Sequence, residues 1–209
     1  MISGLGADGR LFKHIQLPGH EIVLTEVADH VETDTLSSYA QKLVSHYDIT
    51  SDDIVLGDSL GGMITVEVAK LVAPRMAILI SSIKTIKEAP AYFRFFRAVP
   101  VYWAIPNKLF TSVGFLGKYV FGHMSQEDAQ LFSSMLANSS PRFMKWAMHA
   151  VLHWDNQVIP PNVHHIHGDI DRVFPIKTIL DATVIKGGSH IMIFDKADEI
   201  NTLLQNLIN

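Results

Sequence analysis

The sequence predicts an α/β protein: a mostly parallel central sheet with helices on both faces, interrupted by a long helical insertion. Three observations carry that expectation. Short aliphatic or β-branched runs alternate with stretches of helical periodicity in residues 1–84 and again in 156–209. A Gly-x-Ser-x-Gly segment, Gly57-Asp58-Ser59-Leu60-Gly61, joins one such run directly to one such helix. After the run at 76–80 the alternation stops for about 70 residues, too long for a plain crossover and too apolar for a disordered loop.

Taken in order, Ile22-Val23-Leu24 reads as a strand. Leu36, Tyr39, Ala40, Leu43, Val44 and Tyr47 recur at helical spacing, with Thr33 or Asp34 as N-cap. Ile54-Val55-Leu56 is the next strand. The helix after it, Met63 to Val72, meets no breaker until Pro74 and offers Met63, Val66 and Leu71 for burial. Met76 to Ile80 is a further strand, and Val163 to His167 and Thr183 to Ile185 are two weaker ones. A last helix from about His190 aligns Ile193, Ala197, Ile200, Leu204 and Leu207 on one face. No internal repeat is visible.

A serine on a sharp strand-to-helix turn is presented at the sheet edge, and glycines on either side let the two backbones approach closely. Such a serine becomes a nucleophile only when a histidine takes its proton and a carboxylate fixes that histidine's tautomer. The chain supplies both downstream. His167-Gly168-Asp169-Ile170-Asp171-Arg172-Val173-Phe174-Pro175 carries two carboxylates, and Gly187-Gly188-Ser189-His190 carries the base.

Together these segments resemble the α/β-hydrolase superfamily, in its small, lid-bearing, esterase-like branch. The order Ser59, Asp171, His190 is that of the family and differs from the chymotrypsin and subtilisin orders. His167-Gly168-x-x-Asp171 resembles the loop that delivers the acid. The acid there stands three residues after the glycine, which selects Asp171 over Asp169. Gly188-x-His190 resembles the loop of the base. Ser3-Gly4-Leu5-Gly6 resembles the His-Gly-x-Gly loop that completes the oxyanion hole, which implies the backbone N–H groups of Leu5 and Leu60 as its donors. Two departures stand out. Ser3 replaces the family histidine. Only Met1 to Ser3 can continue a strand before the loop, where the family has two or more, so either the sheet is shortened at its N-terminal side or the true start lies upstream.

Gly57-Asp58-Ser59-Leu60 also spells the signature of the GDSL esterases, which have a different fold. That family places the motif near the N-terminus and pairs it with Asp-x-x-His. Here the motif follows a long segment, and Gly187 stands three residues before His190, so the spacing rejects that reading. A haloalkane dehalogenase is set aside because its nucleophile is a carboxylate.

The division expected is a core of residues 1–84 and 156–209 with a helical cap of 85–155. The cap segment holds 14 of the 19 aromatic residues, and Met124, Met135, Met144 and Met148 besides. Ser125 to Ala137 and Arg142 to Leu152 look helical. Most of these side chains are expected to build the cap's own core, but their concentration suits an apolar acyl or alkyl group. Phe95, Trp103, Phe121 and Trp146 are the pocket residues expected.

Composition narrows the function classes. A chain of 209 residues buries a substantial core, and its net charge of −4 offers no basic footprint for nucleic acid. It has no cysteine, which excludes disulfides and thiolate metal sites. The N-terminal residues have no signal-peptide pattern, and no apolar run spans a bilayer, so a cytoplasmic location is expected. His164, His165 and His167 invite a metal reading, but strand alternation sends His164 to the opposite face from the other two. No metal and no cofactor is expected. The reading reached is a serine hydrolase of carboxylic esters or thioesters, acting on a small, largely apolar substrate. A small-ligand binding protein, or an acyl transferase or lyase using the same triad, stays open. Oligomeric state is undetermined.

Overall fold

The computed structural model describes residues 1–26, 29–105, 122 and 124–208. Its sheet has four parallel strands in sequence order, β1 (Ile54–Asp58), β2 (Met76–Ile80), β3 (Val163–Gly168) and β4 (Thr183–Ile185). The register aligns Ile54 with Met76, Ala77 with Val163 and Ile166 with Thr183. Helix α1 is Leu36–His46 and α2 is Leu60–Val72. Between β2 and β3 lie α3 (Tyr92–Ala98), α4 (Gln126–Asn138) and α5 (Pro141–Leu152). After β4 come α6 (Met192–Asp195) and α7 (Ala197–Ile208).

Side-chain alternation along the strands divides the core in two. Val55 and Leu79 join Leu36, Tyr39, Leu43, Met63 and Val66 of α1 and α2 on one face. Leu56, Ile78, Ile80 and Ile166 join Ile193, Ile200 and Leu204 on the other. Both faces are thus covered, as parallel sheets require. Phe143 and Trp146 of α5 belong to the same cluster as α1 and α2, so the segment between β2 and β3 shares its core with the sheet layer.

Local chemistry sets the ends of the helices. Thr35, rather than Thr33 or Asp34, is the N-cap of α1. Its hydroxyl accepts from Ser38 N (3.1 Å), and Ser38 Oγ accepts from Thr35 N (3.0 Å), a reciprocal capping box. Asp34 instead accepts from Lys42 Nζ and Ser38 Oγ. Ser125 and Ser140 cap α4 and α5, with Pro141 at the first turn of α5. The C-terminal helix expected from His190 is two helices, broken at Lys196.

Ile22-Val23-Leu24 is not a strand. Its residues are 42–51% exposed, and among the described residues its backbone partner is Met1. Met1 N donates to Val23 O (2.6 Å) and Thr25 N to Met1 O (3.0 Å). That is a single parallel row, too short to make a ladder. Ile2 in turn bridges Gly57 in parallel, so the 1–3 segment lies between residues 22–25 and β1. Among the described residues no helix is long and apolar enough to cross a membrane.

Candidate active site

Ser59 stands between β1 and α2 with φ +52° and ψ −116°, a conformation that side chains rarely adopt. Its surroundings hold it there. Ser59 N donates to Ile80 O (2.9 Å), and Ser82 Oγ donates to Ser59 O (2.7 Å). Gly61 has no room for a side chain, because a Cβ would run into Ile2 O of the neighbouring row. The turn therefore depends on glycine where helix, strand and N-terminal segment cross.

The other two predicted residues arrive from the ends of β3 and β4. Gly168 and Gly188 pass in direct contact, with a Cβ on either meeting the other's backbone, and this crossing brings the two loops together. Ile170 N donates to Gly188 O (3.0 Å) across it. His190 Nε2 lies 2.9 Å from Ser59 Oγ, and His190 Nδ1 lies 2.9 Å from Asp171 Oδ2. Asp171 Oδ1 accepts from Val173 N (2.7 Å) and Phe174 N (2.9 Å). Asp171 therefore has one oxygen locked by backbone and the other on the imidazole. With Nδ1 donating to that carboxylate, Nε2 is left as the acceptor for the serine proton. Asp169 is elsewhere: its Oδ1 accepts from Gly187 N (2.6 Å) and holds the base loop's turn.

Electrostatics follow the same geometry. Burial would raise the Asp171 carboxyl, but the charge and hydrogen bond of His190, with the Phe174 N–H, hold it below its ordinary value. Burial pulls His190 down. The charge and hydrogen bond of Asp171 outweigh it, Asp58 adds to the rise, and the imidazole ends above its ordinary value. Asp58, wholly buried beside the serine, is pushed up to about 7 by burial, a rise that the His190 charge opposes and that of Asp171 supports.

The loop of Gly4 and Leu5 closes against the turn. A Cβ on Gly4 would stand 3.2 Å from Ser59 Cβ. Ser3, in place of the family histidine, donates from Oγ to Ala7 O (3.1 Å) and ties the loop to itself. Leu60 is the first residue of α2, where a backbone N–H has no partner within the helix. Leu5 and Leu60 both line a cavity of about 570 Å³ that also reaches Ser59 and His190.

The walls of that cavity correct the sequence expectation. Phe95 and Trp103 do not line it and are 59% and 47% exposed. Trp146 is 1% exposed and lies against Tyr39 and Phe143, with Nε1 donating to Asp34 O (2.9 Å), so it fastens α5 to α1. Phe121 lies outside the described residues. Among the described residues the aromatic walls are Tyr92, Phe93, Phe96, Tyr102, Phe132 and Phe174, joined by Met144 and Met148. Aromatic density located the wall-forming segment, but not which face of each helix turns inward. Ser82 and Asp58 were also missed as parts of the site. No spacing rule marks Ser82, and nothing in the motif Gly57-Asp58-Ser59 tells whether the Asp58 side chain turns to solvent or inward.

His165 and His167 pack edge to face at 5.1 Å, and His167 Nε2 donates to Phe174 O (2.8 Å). Among the described residues no cluster of three His, Cys, Asp or Glu could hold a metal ion.

A parallel sheet that carries a serine on a strained strand–helix turn, with carboxylate and imidazole on the loops after its last two strands, defines a hydrolase scaffold of the α/β type. A sequence model described as the alpha/beta hydrolase family matches residues 2–203, and the chain belongs to that family. No curated protein matches it in sequence. Among solved structures it is similar to an epoxide hydrolase from Bacillus megaterium, with 15% identity, a TM-score of 0.72, and coverage of 100% of this chain and 92% of that one. A hydrolase from Pseudomonas aeruginosa PA01 gives 15%, 0.72, 100% and 88%. An esterase from Thermogutta terrifontis gives 15%, 0.66, 99% and 87%. At these identities the likeness is one of fold.

Proposed function

We propose that this chain is a serine esterase that hydrolyses carboxylic esters, or thioesters, of small and largely apolar acids through an acyl-enzyme. The observation that carries the reading is the unbroken hydrogen-bonded run Ser59–His190–Asp171 on the wall of the apolar cavity. In this mechanism His190 Nε2 takes the Ser59 proton as Oγ attacks the carbonyl carbon. The Leu5 and Leu60 N–H groups bind the oxyanion, an interaction usually worth about 3–4 kcal/mol of barrier per donor. His190 then protonates the leaving alkoxide or thiolate and activates water to release the acid, while Asp171 stabilises the imidazolium.

Residues 85–155 act in this proposal as a cap that supplies much of the acyl pocket. Its volume lies in the range of small-molecule sites. A small-molecule ester is the partner proposed, and the cytoplasm the location. Turnover of short p-nitrophenyl esters by the wild type, abolished in Ser59→Ala without loss of thermal stability, is the expected result. Binding of such esters without turnover would favour the binding-protein reading, and product formed only with alcohol or amine acceptors would favour transfer.

A further inference from the structure

Buried polar groups in proteins are almost always hydrogen-bonded, so one without a partner calls for an explanation. Asp58 is such a group. It ends β1 immediately before Ser59, is 2% exposed, and among the described residues its Oδ1 accepts no hydrogen bond. Leaving it unpaired is costly, because a carboxyl in an apolar setting forfeits its water without compensation.

Its position is at the reacting end of the cavity, whose lining includes Asp58. Asp58 Oδ2 and Ser59 Cβ each lie 3.2 Å from the point where a Cβ on Gly4 would stand. The carboxyl is therefore held within two such spans of the nucleophile's own side chain, beside the oxyanion loop. Four other polar side chains of the same cavity wall have partners. Ser59 and His190 bond to each other, Tyr92 Oη donates to Val173 O (2.8 Å), and Tyr102 Oη is 3.0 Å from His149 Nδ1.

We infer that Asp58 is a specificity residue that pairs with a hydroxyl on the acyl chain, one or two carbons from the scissile carbonyl, so that the preferred substrates are esters of 2- or 3-hydroxy acids. This deepens the esterase reading and rests on it. A hydroxyl suits the site better than a fixed charge. Burial holds the Asp58 carboxyl near neutrality in its titration, at about 7, and a hydroxyl can donate to the carboxylate or accept from the acid. A purely apolar acyl group would leave the carboxyl unpaired and lose affinity on that account.

The test compares p-nitrophenyl butanoate with its 2-hydroxy and 3-hydroxy derivatives on the full chain, each kcat/KM divided by the ester's own rate of alkaline hydrolysis. The wild type should favour at least one hydroxy ester by tenfold or more. Asp58→Leu should bring that ratio towards unity, and Asp58→Asn, which still hydrogen-bonds, should keep part of it. The ratio is the informative readout, since structural damage lowers all three rates together. Equal wild-type rates overturn the inference whether or not a variant folds, and so does a ratio that Asp58→Leu leaves intact. If no ester turns over and a fluorophosphonate leaves Ser59 unlabelled, the esterase reading itself has failed and takes this inference with it.

Discussion

Replacing Asp171 by Asn should be far more damaging than its single-atom change suggests. Asp171 Oδ1 accepts two backbone N–H bonds, from Val173 at 2.7 Å and Phe174 at 2.9 Å. An asparagine must keep its carbonyl oxygen there, because its NH2 would face two donors. The NH2 then points at His190 Nδ1, now 2.9 Å from a donor instead of a carboxylate. Nδ1 must become an acceptor, the ring proton moves to Nε2, and Nε2 faces Ser59 Oγ with nothing to accept its proton. The fold should be nearly unaffected, since every contact has a polar replacement. Turnover should fall by about 10⁴, as in the analogous serine-protease substitution, or about 5.5 kcal/mol of barrier. Steady-state hydrolysis of a p-nitrophenyl ester measures it, with circular dichroism melting as the control for folding. Asp169→Asn, whose Oδ1 holds the Gly187 N–H and not the imidazole, should lose little. Retention of activity within tenfold in Asp171→Asn, or a greater loss in Asp169→Asn, would refute the assignment of the acid.

Other consequences can be checked separately. Phe96, Tyr102, Met144 or Met148 replaced by Ala should shift the preference between short and medium acyl chains by roughly tenfold in at least one case, measured as a ratio of kcat/KM values. Trp146→Ala should leave that ratio unchanged and cost about 3–5 kcal/mol in urea unfolding, because the indole packs α5 on α1 and touches no part of the cavity. The base must be neutral to act, and the His190 imidazole stands above its ordinary value. Activity should therefore rise with pH through a midpoint in kcat/KM above about 6.5, and a midpoint below that value would contradict the Asp171–His190 pairing.

How far the sequence revealed this site depends on what kind of information each part required. Ser59, Asp171 and His190 were legible because backbone demands surround them. Gly61, Gly168 and Gly188 stand where chains cross without room for a Cβ, and such needs leave fixed letters at fixed spacing. Strands β2 and β4 were legible to the residue, since aliphatic or β-branched runs flanked by loop residues have few other fates. Ile22-Val23-Leu24 has the same composition, yet among the described residues only one row of partners lies beside it, and no local pattern reports how many neighbours a strand will find. The pocket was least legible. Phe95 and Phe96 are adjacent in sequence, but one faces outward and the other the cavity, a distinction set by how α3 is rotated against its neighbours. Trp146 is among the pocket residues expected from the sequence, and the Asp34 carbonyl and Tyr39 ring place it in the core instead.

If Ser59 is a nucleophile activated by its place in the fold, it should react ahead of every other serine. Treating the native protein with one equivalent of a fluorophosphonate and mapping the adduct by peptide mass spectrometry tests it most directly. A single adduct is expected, on Ser59, absent from Ser59→Ala and from heat-unfolded protein. An adduct on another serine, or none on the folded chain, would contradict it.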